Sequence, residues 1–167
     1  MTEIAYELAQ VNIARLKAPL DSPQLKDFVD HLDPVNADAD AADGFVWRLR
    51  SEGGDATDIA VFGDSWLIIN MSVWRGAGSL TGFMYQGRHR EMPARRREWF
   101  ERVGEAMVAL WWVPAGHRPT VAEAESRLLH LRTHGPTPYA FTLRTAFPAG
   151  GAEPLVGEVP EGLGCSA

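Results

Sequence analysis

Two asparagines, a tryptophan and a histidine are the residues of this 167-residue chain whose types and spacing could do chemistry: Asn12, Asn70, Trp74 and His89. An asparagine carboxamide offers a donor and an acceptor without charge, so it can polarise the oxygen of a bound molecule. A tryptophan supplies a flat apolar wall, and a histidine can carry a proton at neutral pH. Within WLIINMSVW, residues Trp66, Ile68, Asn70, Ser72 and Trp74 alternate and so share one face of a strand, which aims Asn70 and Trp74 into the same space. Asn12 shares its face with Leu8 and Gln10, giving the first strand a polar stripe where a core strand is usually apolar. A buried amide must find partners, and neighbouring strands rarely supply them through side chains alone. Two readings stay open: the amides orient a ligand oxygen, or each asparagine ties down a loop or a backbone bulge.

The remaining candidates are less specific. The histidines His31, His89, His117, His130 and His134 form no HExxH pair. His130 and His134 are four apart; they would make one edge of a metal site, or simply sit at a helix C-terminus where the dipole favours a positive imidazole. Of Arg88, Arg90, Arg95, Arg96 and Arg97, a helix can turn only one or two towards a pocket, and Arg96, four residues before Phe100, is the inward choice. Trp47, Phe83, Arg96 and Trp111 complete the set as substrate contacts, with strand tryptophans serving a core more often than a ligand. No phosphate loop, dinucleotide fingerprint, nucleophile elbow or CxxC pair is present.

The elements that must position these residues follow from periodicity. Tyr6 to Leu16 reads as a strand closed by Pro19, Asp21, Ser22 and Pro23. Leu25, Phe28, Val29 and Leu32 repeat at helical spacing, with the helix expected to stop near Pro34 and a second short one over 36–42. GFVWRLR alternates, placing Phe45, Trp47 and Leu49 on one face and Arg48 and Arg50 on the other. A short strand over 59–62 precedes the nearly continuous apolar strand 66–74. Ser79 then starts a helix to about Arg90, and a basic helix begins at Pro93. MVALWWV is a buried strand with Trp111 and Trp112 on opposite faces. Thr120 and Glu123 form a capping box for a helix that ends at Gly135-Pro136, and 139–147 is the last strand.

This order, β-α-β-β-α-β with an extra helix and strand, predicts an α+β, ferredoxin-like antiparallel sheet with helices on one face. The domain covers residues 4–148, and 149–167 reads as a flexible tail of Gly, Pro, Glu and Ala. With six tryptophans in the chain, the uncovered sheet face is too aromatic to face water, which predicts a homodimer. Apolar residues at 46% and charged residues at 23% exclude global disorder. A net charge of −6 gives no electrostatic reason to expect nucleic acid or an anionic membrane. No apolar run approaches the length of a membrane span. The lone Cys165 cannot form an internal disulfide, so a cytoplasmic location is expected.

The run INMSVWRGAGSLTGFMYQGRH resembles the dimeric α/β-barrel superfamily, which includes antibiotic-biosynthesis monooxygenases: a strand ending in Trp, a helix with Leu and Phe, then a His. More closely, ELAQVNIARLKAPLDSPQLKDFVDHLDPVN, GFVWRL, HREMPARRREWF and LWWVPAGHRPTVAEAESRL are similar to the bacterial DUF3291 family, a domain of unknown function, over Glu7 to Phe147. The wider resemblance implies a monooxygenase-like oxidoreductase acting on an aromatic or flat apolar molecule in a pocket between sheet and helices. Asn12, Trp74 and His89 occupy the elements that carry the site in haem-degrading members, which makes haem the one cofactor implied and His89 its ligand. Asn70 and Trp74 resemble the pair that activates a phenolic substrate in cofactor-free members. The alternatives are a small-molecule-binding protein without oxygenase activity, or a dehydratase, cyclase or isomerase.

Overall fold

Strand β1, Tyr6–Arg15, takes a central place because both of its faces carry apolar side chains that need cover. In the computed structural model, which describes residues 5–52, 54–85 and 95–150, β1 pairs antiparallel with β3 (Leu67–Trp74) on one side and β4 (Val108–Pro114) on the other. β2 (Phe45–Arg48) pairs antiparallel with the outer edge of β3, so the four-stranded sheet has the order β2-β3-β1-β4. The sheet is open and is not closed into a barrel.

Among the described residues four helices flank the sheet: α1 (Lys26–Asp40), entered through a 3-10 turn at Pro23–Leu25, then α2 (Ala77–Met84), α3 (Arg96–Trp99) and α4 (Val121–His134). They do not all lie on one face, as the element order predicts. Ala9, Val11 and Ile13 pack with Ile69, Met71, Val73, Ala109 and Trp111 beneath Ala124, Leu128 and Leu131 of α4. The opposite face carries two smaller clusters. One joins Ala14, Leu16 and Ile68 to Phe28 of α1 and to Trp99 and Phe100; the other joins Leu8, Trp74 and Leu110 to Leu80 of α2 and to Phe141 and Phe147. The aromatic face that was expected to call for a second subunit is therefore filled from within the chain by α4, because α4 follows β4 and folds back under it.

Several local expectations change for identifiable reasons. α1 runs unbroken through Pro34, and burial of Phe28 near one end and Ala39 near the other holds its two halves in line despite the missing amide hydrogen. A register shift between Phe45 and Trp47 sets these residues on opposite faces: Phe45 lies opposite Trp74, while Trp47 and Leu49 pack with the α4 side. Arg48 is drawn into two hydrogen bonds with Asp40 at the end of α1 and one with the Gly54 carbonyl. The segment 59–62 makes one bridge, Val61 to Asp64, in place of a strand.

α2 starts two residues before Ser79, with Gly76 extended at its N-cap. Gly44, at φ +80°, passes so close that any side chain there would collide with Ser79. The segment 139–147 is not a strand either. Only Phe141 bridges Leu110, because Thr137 and Thr142 turn the chain locally by accepting from the backbone amides of Tyr139 and Thr145. Thr120 caps α4 as expected, accepting from the Glu123 amide at 3.1 Å. Trp111 and Trp112 lie on opposite faces as alternation requires, Trp111 under α4 and Trp112 donating to the Phe147 carbonyl at 2.7 Å. The end of the helix expected to reach Arg90, the Pro93 start and nearly all of the 149–167 tail lie outside the described residues.

Candidate functional site

Leu8, Gln10, Asn12 and Ala14 of β1 face the same way, and the register sets Trp74, Ser72, Asn70 and Ile68 of β3 directly opposite them in turn. The centre of this face is polar and its two ends are apolar. Gln10 and Ser72 are the buried polar residues of the described core, whereas Asn70 is exposed and Asn12 half-buried.

The buried members are satisfied by one another. The Trp74 indole N–H donates to Ser72 Oγ at 2.8 Å, the Gln10 carboxamide nitrogen donates to the same oxygen at 2.7 Å, and it also donates to Asn70 Oδ1 at 2.8 Å. An indole N–H can only donate, so it fixes the direction of this chain at one end. Ser72 Oγ then accepts twice, and its own O–H remains to be given. At the other end Asn70 is exposed to solvent. Among the described residues nothing hydrogen-bonds the carboxamide of Asn12, which stands opposite Asn70 on the neighbouring strand. The result is a ladder of neutral donors and acceptors running from a buried indole to two accessible carboxamides.

The residues singled out from the sequence divide accordingly. Asn12 and Asn70 come together. Trp74 belongs to the same network but is only 1% exposed, covered by Phe45 edge-on and by Phe83 stacked with ring centroids 5.2 Å apart. It supports the site through Ser72 and does not form its wall. Phe83 thereby packs on the candidate network. Trp47 and Trp111 lie on the opposite face, the Trp111 indole donating to Glu123 Oε2 at 2.8 Å. Arg96 holds its guanidinium over the Phe100 ring, 5.7 Å from the centroid, at the far apolar cluster. His89 lies outside the described residues. The members that the first choice of residues left out are Gln10 and Ser72. Ser72 stands between Asn70 and Trp74 and Gln10 two residues before Asn12, at positions of the same period, so the signal was present.

The resemblance would have Asn12, Trp74 and His89 line a haem. The Trp74 ring, covered by Phe45 and Phe83, offers no open face to one.

The histidine pair on α4 is also explained locally. His130 and His134 stack with ring centroids 4.5 Å apart, and His130 Nε2 pairs with Thr137 Oγ1 at 2.7 Å. Burial, then the neighbouring His134 and Arg127, lowers the pKa of His130, so the neutral imidazole is favoured despite the helix C-terminus. Among the described residues there is no group of three or more His, Cys, Asp or Glu side chains able to hold a metal ion.

The profile of the family described as "Domain of unknown function (DUF3291)" matches residues 7–155. The chain belongs to this family. None of the curated proteins matches it. Solved structures similar to this DUF3291 chain include a conserved protein from Methanosarcina mazei Go1, at 9% identity and a TM-score of 0.47, covering 66% of this chain and 93% of that one. A protein of unknown function from Nitrosomonas europaea is similar at 10% identity and a TM-score of 0.44, over 71% of this chain and 97% of its own. A protein from Pseudomonas aeruginosa is similar at 12% identity and 0.45, over 71% of this chain and 100% of its own. For the DUF3291 chain itself, no helix among the described residues is long and apolar enough to cross a membrane.

Proposed function

We propose that the DUF3291 chain binds a flat, largely apolar small molecule by one oxygen-bearing edge, with Asn12 and Asn70 as the polar contacts. The observation that carries this reading is the pairing of these two carboxamides at the accessible end of a hydrogen-bonded ladder whose other members are buried. Two adjacent carboxamides match a phenol, a quinone or an aromatic amide, each of which presents an acceptor, a donor or both in one plane. The half-buried side chains packed on the apolar clusters at either end of the stripe, such as Leu32 and Met84, would contact the body of the molecule, and Ser72 and Gln10 would hold Asn70 in one orientation. Such a ligand needs no charge.

An oxidoreductase of the monooxygenase kind is the second reading, in which the same carboxamides polarise a substrate oxygen and His89 moves the proton. It is favoured by the Asn70–Ser72–Trp74 sequence on one face, which ties a carboxamide to a buried indole through Gln10 and Ser72. A ferredoxin-like arrangement fits either reading, since β2-β3-β1-β4 with antiparallel neighbours is the order a β-α-β-β-α-β chain produces when α1 and α2 share a face.

Ligand-observed NMR with a panel of phenols, quinones and aromatic amides tests the first reading. Binding is expected to the natural chain and to be lost in Asn12→Leu and Asn70→Leu. A panel member that binds equally to all three proteins would refute the assignment. Native mass spectrometry of freshly isolated protein reports any retained ligand and the number of subunits together.

A further inference from the structure

A cavity of about 190 Å³ opens at the other face of the sheet, where the end of β1, the start of β3, the approach to β4 and the last turn of α4 converge. Ile13, Phe62, Leu67, Val103 and Met107 supply the apolar part of its lining. Two ion pairs complete the lining, Arg15 with Asp64 at 2.8 Å and Arg132 with Glu105 at 3.2 Å.

The two arginines are held differently. Asp64 is anchored, its other oxygen accepting from the Trp66 backbone N–H at 2.9 Å, and that amide and Arg15 together lower its carboxyl pKa. Arg132 is itself the anchored partner of its pair: Nε donates to the Ala106 carbonyl at 2.9 Å, Nη2 reaches the Met107 sulfur at 3.6 Å, and the Phe62 ring lies under the guanidinium at 5.4 Å. Its side chain is 19% exposed, whereas that of Glu105 is 66% exposed and is Arg132's one carboxylate partner among the described residues. A solvated acid at the end of a chain of rotatable bonds holds such a cation weakly.

Phe62 adds a second, independent sign that the cavity is built. It has φ +52°, the one positive φ outside glycine among the described residues, a conformation that is strained for an aromatic residue. Glu125 holds it there by accepting from the Phe62 amide at 2.7 Å, and the outcome is an aromatic ring beneath Arg132 at the cavity wall.

We propose that this cavity is a binding site for a small aromatic or alicyclic monocarboxylate, whose carboxylate takes the place of Glu105 on Arg132 while its ring packs against the apolar part of the lining. Glu105 stands in for the ligand's acid in the free protein. The size agrees, since an engineered apolar cavity of about 150 Å³ holds benzene and this one is about 190 Å³. The charge agrees as well. With Asp64 kept on Arg15, displacing Glu105 frees one positive charge, which suits a monoanion; a dianion would leave one charge uncompensated against apolar walls. The site is separate from the amide stripe and does not depend on it.

Calorimetric titration with benzoate and with the neutral isostere benzamide tests the assignment on the full chain. Benzoate is expected to bind, and benzamide to bind about tenfold or more weakly, as loss of a charged hydrogen bond predicts. Glu105→Gln removes the competing acid from an exposed position and should tighten benzoate about twofold to fivefold. Arg132→Gln should weaken it about tenfold or more, with thermal melting to confirm that the variant folds; if it does not fold, the Glu105→Gln and benzamide comparisons decide. Asn70→Leu should leave benzoate binding unchanged. Absence of benzoate binding in both the natural chain and Glu105→Gln, or benzoate affinity that Glu105→Gln leaves unchanged, overturns the proposal.

Discussion

The two faces of the sheet solve the same packing problem in different ways. Under α4 the face is continuously apolar, from Ile13 and Ile69 through Met71 and Trp111 to Leu128, and the Trp111 indole N–H is met by Glu123 from the first turn of the helix. On the other face the apolar surface is split into two clusters, and the gap between them is occupied by Gln10, Asn12, Asn70 and Ser72. A fold that needed only stability would close that gap with aliphatic residues, because a well-packed apolar replacement of a buried polar group is close to neutral or better. The difference teaches that the first face holds the chain together and the second leaves room for something else.

That contrast can be broken experimentally. The largest effect is expected for Trp111→Ala, which empties the fully buried centre of the α4 face and takes the indole donor from Glu123, leaving it His117; a loss of about 3–5 kcal/mol is expected by denaturant unfolding. If Trp111→Ala is nearly neutral, the α4 face is not the stabilising one. Ser72→Ala comes next. It removes the acceptor shared by Trp74 and Gln10, leaving two buried donors unpaired, and should cost about 1–3 kcal/mol. Adding Gln10→Leu and Asn70→Leu to Ser72→Ala should recover the part of that loss due to Gln10, the Trp74 indole N–H staying unpaired, and a further loss instead would mean that the stripe serves the fold.

The smaller effects sharpen the comparison. His130 has a lowered folded pKa, so between its ordinary value of about 6.5 and its folded value the unfolded chain binds more protons. Stability should therefore fall as pH drops through that interval and flatten below it. In His130→Gln the slope of melting temperature against pH should diminish there, and an unchanged slope would remove His130 as its source. Asn70→Leu is smaller than Ser72→Ala. It removes one of the two acceptors of the Gln10 carboxamide at an exposed strand position, so a loss of about 1 kcal/mol is expected by denaturant unfolding, and the proposed ligand contact goes with it.

What the sequence made legible was whatever alternation controls. Residues 8, 10, 12 and 68, 70, 72, 74 share a face because the strand period is local, and the stripe could be read before any coordinates. The same rule failed at Phe45, where one shifted residue in β2 reverses the facing of everything before it. It also failed to say which face a helix would choose, since α4 is amphipathic wherever it docks. Trp74 was legible as a member of the stripe and not as a buried one, because its cover comes from Phe45 and Phe83 in other elements. The cavity was not legible at all. Ile13, Phe62, Val103 and Arg132 come from four distant stretches, and nothing in the residues around Phe62 announces a left-handed backbone that Glu125, far along the chain, holds in place.

The register shift in β2 has a consequence for the molecule in a crowded solution. β2 is four residues long and irregular between Phe45 and Trp47, and it forms the outer edge beside β3. A long, flat edge would offer its unpaired backbone groups as a template to any extended chain that drifted past. A short, twisted one gives such a visitor too few consecutive hydrogen bonds to stay. The irregularity that upset the reading of Phe45 thus guards the protein against adding strands from its neighbours and growing into aggregates.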